Sequence, residues 1–181
     1  LSWRRMIRIF LIAILLSLAS ATCFAAEPEL GSVAPSLEAT ELNGQTFDLA
    51  AERGKVVIVN FWATWCGPCR TEMPALDAFY RAFRGEGLVL IGISVDKWDD
   101  KAKVAATMKP FSYPAAMVNE ARENEFPRPK AIPTTYIIDR GGVLRAIEHG
   151  ATPESLAKTV LPLLKQKPPP AAPSGMSASL P

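Results

Sequence analysis

The 181-residue chain is 49% hydrophobic and 21% charged, which excludes a disordered or collagen-like polymer and gives room for one ordinary domain with its own core. Its formal net charge of +2 comes from Arg4, Arg5 and Arg8 in a leading segment without acids; setting these aside leaves 17 basic residues against 18 acidic ones, so nothing points to nucleic acid or another polyanion. Three cysteines are too few for a disulfide scaffold or a four-ligand zinc site, and the single histidine, His149, has no Cys or His near it in sequence, so no metal and no cofactor is expected.

Residues 1–26 open on a basic stretch that includes Met6, a candidate first residue. They continue as an apolar run from Ile9 to Leu18 and end in small residues up to Ala25 and Ala26. That is the layout of a secretory signal. An uncleaved anchor competes with it, since Ile9 to Ala26 carries no charge over 18 residues. Lipidation at Cys23 is a third option. All three place the folded part in a periplasmic or other extracytoplasmic compartment, with membrane contact only through this segment. At the other end, residues 166–181 are rich in Pro, Ala and Ser without an apolar period, as expected of an extended, disordered tail.

Between them a domain over residues 29–165 begins with a short polar lead-in. Lys55 to Trp62 is a nearly unbroken β-branched and aromatic run, the mark of a strand buried on both faces. Cys66 to about Arg84 has helical spacing, with Met73, Leu76, Phe79, Tyr80 and Phe83 on one stripe, closed by Gly85 and Gly87. Pro74 should kink it. Leu88 to Val95 reads as a second buried strand, parallel to the first, and Asp99 to Lys109 as a weaker helix stopped by Pro110. Tyr136–Asp139 and Val143–Ile147 flank Arg140-Gly141-Gly142, which predicts an antiparallel hairpin. Thr152-Pro153 then starts a helix whose apolar face is Leu156, Val160, Leu163 and Leu164. The fold class is α/β, a mixed central sheet with helices on both faces.

The chemistry concentrates in Trp65-Cys66-Gly67-Pro68-Cys69. Cys66 follows a buried strand at the start of a helix, where unpaired N–H groups and the helix dipole favour thiolate, the species that attacks disulfides. Cys69 lies about one turn on, within reach for ring closure. Gly67 permits close approach, and Pro68 fits a first turn that needs no N–H. The pair supports a cycle in which Cys66 forms a mixed disulfide with a partner protein and Cys69 resolves it.

The stretch Phe61 to Arg70 resembles the active site of thioredoxins, and Glu72-Met73-Pro74 with Ile132-Pro133-Thr134-Thr135 is similar to the exported TlpA/ResA branch. The resemblance covers roughly residues 29–165. It implies a thioredoxin-like fold, protein clients reached through a substrate-binding cis proline at Pro133, and a membrane or periplasmic electron donor, with a monomer as the working form. A cis bond there would offer the Ile132 backbone to an extended peptide; from the residues alone, an ordinary trans proline opening an edge strand is equally open. Thioredoxins have a buried Asp where this chain has Asn60. Glu72 matches an acidic residue of the ResA-type site and is expected to accept the proton of Cys69. The competing reading is an exposed first-turn glutamate favoured by the helix dipole. Trp65 is assigned to an apolar docking surface, with a purely packed Trp as the alternative, and Trp62 to the core. In an oxidising compartment the dithiol is expected to act as a specific reductant, for haem-attachment cysteines or another partner's thiols. Two other functions compete: a peroxiredoxin-like peroxidase, and a copper-delivery protein of similar fold using His149.

Overall fold

The computed structural model describes residues 28–168. The expected signal or anchor over 1–26, with Cys23, lies outside the described residues, as does the tail from residue 169. Strand β3 (Val56–Trp62) is buried along its whole length, and its alternation sends Val56, Ile58 and Trp62 into one core layer and Val57, Val59 and Phe61 into the other. Helix α1 (Gly67–Phe83) follows directly and runs through Pro74. Strand β4 (Leu88–Ser94) pairs parallel to β3 in the register Val56↔Leu88 to Trp62↔Ser94. Gly92 is required in it, because a Cβ there would lie 2.9 Å from Nε1 of Trp62 and 3.3 Å from the Tyr113 ring.

A short 3-10 turn, Trp98–Asp100, leads into helix α2 (Lys101–Met108), and the chain returns as β5 (Ala115–Asn124), parallel to β4 over Ala115–Met117. The two crossovers step the same way along the sheet, so right-handed connection puts α1 and α2 on one face. Strand β6 (Thr134–Ile138) runs antiparallel to β3, and β7 (Leu144–Glu148) antiparallel to β6. Their turn is pinned by Asp139, whose Oδ1 accepts from the N–H groups of Gly141 and Val143 while Oδ2 accepts from Arg145 Nε, and Gly142 takes a φ of +73°. Helix α3 (Pro153–Leu164) starts with a reciprocal cap between Thr152 and Ser155.

One hairpin and one further strand add to the expected order. The polar lead-in contains a hairpin, β1 (Leu37–Glu41) and β2 (Thr46–Asp48), and β5 occupies a stretch for which no element is predicted. Both are concealed by charge: β1 buries only Leu37 and Ala39, and β5 buries only its first three residues. The sheet order is β2-β1-β5-β4-β3-β6-β7. On one face the three α-helices pack Met73, Leu76, Val104, Leu156 and Val160 against β3, β4 and β6. On the other, Phe47, Leu49 of the 3-10 turn Leu49–Glu52, and Phe126 cover Val57, Val59 and Ile91. Each such fully buried aliphatic side chain contributes on the order of 2 kcal/mol.

Candidate functional site

Parallel pairing brings the C-terminal ends of β3 and β4 to one edge of the sheet, and α1 begins there. Cys66 is the N-cap of α1: its backbone is extended (φ −81°, ψ 106°) and its Sγ accepts from the Cys69 N–H at 3.2 Å. Sulfur thus occupies the place an N-cap oxygen takes elsewhere, aimed at the unpaired amides of the first turn, which stabilise negative charge on it. Cys66 and Cys69 are joined as a disulfide with Cα atoms 5.3 Å apart. Cys66 retains 5% exposure and Cys69 none.

Pro133 comes to Cys66 through strand register. β6 runs against β3 with Phe61 opposite Thr134, so the residue before β6 lands beside the exit of β3. The Ile132–Pro133 peptide is cis, and the Ile132 carbonyl oxygen lies 3.7 Å from Cys66 Sγ, placed to accept from a Cys66 thiol. β6 lies between β3 and β7, so the trans-proline edge strand is not what forms here. Pro133 is buried and Ile132 half-buried.

Glu72 is 8% exposed, which corrects the reading of a solvated first-turn glutamate. It lies on the α1 stripe of Cys69, Met73 and Leu76, facing the sheet. Its Oε1 accepts from Asn60 Nδ2 (2.9 Å) and its Oε2 from the Ala151 N–H (2.8 Å); Asn60 Nδ2 also donates to Thr135 Oγ1 (2.9 Å). Burial pushes the Glu72 carboxyl above the ordinary carboxylate range with help from the Glu148 charge, against the two donated hydrogen bonds. Asn60 occupies the strand position beneath α1, and its Oδ1 is buried without a partner.

Sequence reasoning missed Asp96. It is 3% exposed, two residues past β4, and its carboxylate accepts from the Thr64 N–H (2.8 Å), Thr64 Oγ1 (2.7 Å) and Ser94 Oγ (2.8 Å). Together with the Val95 N–H bond to the Trp62 carbonyl, this ties the exit of β4 to the turn that delivers Cys66. Ser94-Val95-Asp96 at the C-terminal end of a buried parallel strand was the available signal, since open α/β sheets place their sites there.

Trp65 is 65% exposed beside the dithiol, which sets aside the packed alternative, whereas Trp62 is fully buried. Gly67 and Pro68 are exposed as well, and a Cβ on Gly67 would meet nothing within 4 Å, so no contact within the chain requires glycine there. The close approach ascribed to Gly67 is therefore open toward an incoming partner. His149 Nδ1 lies 3.1 Å from Thr134 Oγ1, which itself donates to the Ala131 carbonyl (2.7 Å).

Residues 30–147 match the AhpC/TSA family. The chain is 31% identical over 129 residues to the thiol-disulfide oxidoreductase ResA of Bacillus thuringiensis subsp. konkukian, covering 71% of this chain and 75% of that protein. Its fold is similar to that of a putative thiol:disulfide interchange protein DsbE from Chlorobium tepidum (TM-score 0.67, 24% identity, 76% of this chain and 99% of that one). It is also similar to a secreted thiol-disulfide isomerase from Corynebacterium glutamicum (TM-score 0.61, 25% identity, 73% and 85%).

Proposed function

The chain belongs to the AhpC/TSA family and is a thiol:disulfide oxidoreductase, and from that premise we propose that it reduces disulfides of partner proteins outside the cytoplasm through Cys66 and Cys69. The observation that carries the reading is the geometry of Cys66: an N-cap sulfur facing helix amides, retaining some exposure where Cys69 has none, 3.7 Å from the Ile132 carbonyl.

The cycle starts from the dithiol. Cys66 thiolate attacks one sulfur of the client disulfide, forming the mixed disulfide and releasing a client thiolate that takes up a proton. Cys69 then attacks Cys66 Sγ, releasing the second client thiol and leaving Cys66–Cys69 oxidised. Two electrons and two protons pass to the client, and an external dithiol donor restores the enzyme. Glu72, on the Cys69 side of α1, takes the proton that Cys69 gives up, and its burial raises the proton affinity of the carboxyl above the ordinary value. Trp65, Gly67 and Pro68 form the docking surface, and the Ile132-Pro133 backbone pairs with an extended client segment. An extracytoplasmic location is supported by the signal-like pattern of residues 1–26 and by the secreted relative. Reduction of haem-attachment cysteines is one task that fits such a reductant.

The test is the reduction potential of the Cys66–Cys69 couple together with reduction of a protein disulfide by the dithiol form. A potential near that of thioredoxin, about −270 mV, with client reduction supports a reductant. A value near −120 mV would reverse the flow. Rapid peroxide consumption would install the peroxidase instead.

A further inference from the structure

β5 pairs with β1 from Ala116 to Asn124 but stays beside β4 only from Ala115 to Met117, so its second half diverges from β4. The divergence opens a cleft at the C-terminal ends of the parallel strands, where ligands of open α/β sheets bind. It is roofed by the Phe126–Pro129 loop and encloses about 350 Å³, at the small end of ligand cavities. Phe61, Val95, Val118 and Phe126 make its lining apolar, and Lys97 and Arg128 stand exposed on it. Among the described residues no carboxylate pairs with either cation. The one acid in the lining, Asp96, is buried and committed to Thr64 and Ser94, and Asp99 and Asp100 are not part of the lining. A neighbouring hollow of about 270 Å³ shares Arg128 and Pro129 and is also lined by Ala131 and Thr134, the residues that flank the cis Ile132–Pro133 pair in sequence.

We propose that this cleft is a client subsite that takes an acidic side chain of the extended segment carrying the target disulfide, its carboxylate between Lys97 and Arg128 and its stem on Phe61 and Phe126. The inference rests on the proposed reduction of protein disulfides and adds what selects among them.

The probe is a pair of short peptides in which one cysteine carries a 5-thio-2-nitrobenzoate mixed disulfide and a single flanking position is Asp or Asn. Reduced enzyme attacks the peptide sulfur, expels the chromophoric thiolate, and frees the peptide thiol as Cys66–Cys69 closes, so each turnover balances one disulfide reduced against one formed. The expected result is a kcat/KM for the Asp peptide about fivefold above the Asn peptide at low salt, falling toward unity at high ionic strength. The ratio should drop in Lys97→Gln and Arg128→Gln and reach about one in the double variant. A wild-type ratio of one, or a ratio that survives both substitutions, overturns the subsite while leaving the reductase reading intact. Failure of the wild type to reduce either peptide removes both.

Discussion

Replacing Asp96 by Ala tests whether the turn that delivers Cys66 is held by a buried carboxylate. The substitution leaves three donors without their acceptor: the Thr64 N–H, the Thr64 hydroxyl and the Ser94 hydroxyl, on residues 5% and 0% exposed. A stranded buried donor costs about 1–3 kcal/mol; the hydroxyls can rotate toward other acceptors and the amide cannot, so about 1 kcal/mol for each hydroxyl and about 2 for the amide gives about 4 kcal/mol. For a domain of this size that is a fall in Tm of about 12 °C. Thermal and denaturant unfolding of the oxidised protein measure it. Thr64→Val, which removes only the hydroxyl, should cost about 1 kcal/mol, and the double variant should cost less than the sum of the two. A loss under about 1 kcal/mol for Asp96→Ala, or strict additivity with Thr64→Val, refutes the clamp.

Glu72 sets a pH signature. Its folded-state carboxyl lies above the ordinary value of 4.5, so between the two values the native state binds more protons than the unfolded chain, and stability falls as pH rises through that window. Glu72→Gln should therefore lose that decline and gain stability relative to wild type as pH rises above 4.5; parallel Tm-against-pH curves would contradict the buried-acid account. Gly92→Ala drives a methyl to 2.9 Å from Trp62 Nε1 and should cost about 1–3 kcal/mol in denaturant unfolding. Trp65→Ala should leave stability within about 0.5 kcal/mol, because the side chain is 65% exposed, yet lower kcat/KM for a protein disulfide more than for a small-molecule disulfide.

How legible these features were in the sequence follows from how local their causes are. β3 and α1 announce themselves because burial on both faces needs an unbroken apolar run and burial of one helix face needs a 3.6-residue stripe. The Asp139 turn and the Thr152 cap are likewise spelled out within a few residues. β5 was hidden because its second half is amphipathic only in relation to β1, and β1 carries just two buried residues. The burial of Glu72 depends on Asn60 and Ala151, which tertiary folding alone brings to it. The stripe nonetheless passes through Glu72, so its inward position was open to inference. Asp96 was passed over because one acid after a strand looks like any solvated turn residue until Thr64 is seen to donate to it.

The central claim is that Cys66 attacks and Cys69 resolves. It is tested most directly by mass spectrometry of Cys69→Ser and Cys66→Ser, each mixed in reduced form with a disulfide-bonded protein client. Cys69→Ser should accumulate a mixed disulfide through Cys66, while Cys66→Ser, left with a thiol at a position of 0% exposure, should trap almost none. Equal trapping by both variants, or trapping through Cys69 alone, would contradict the account.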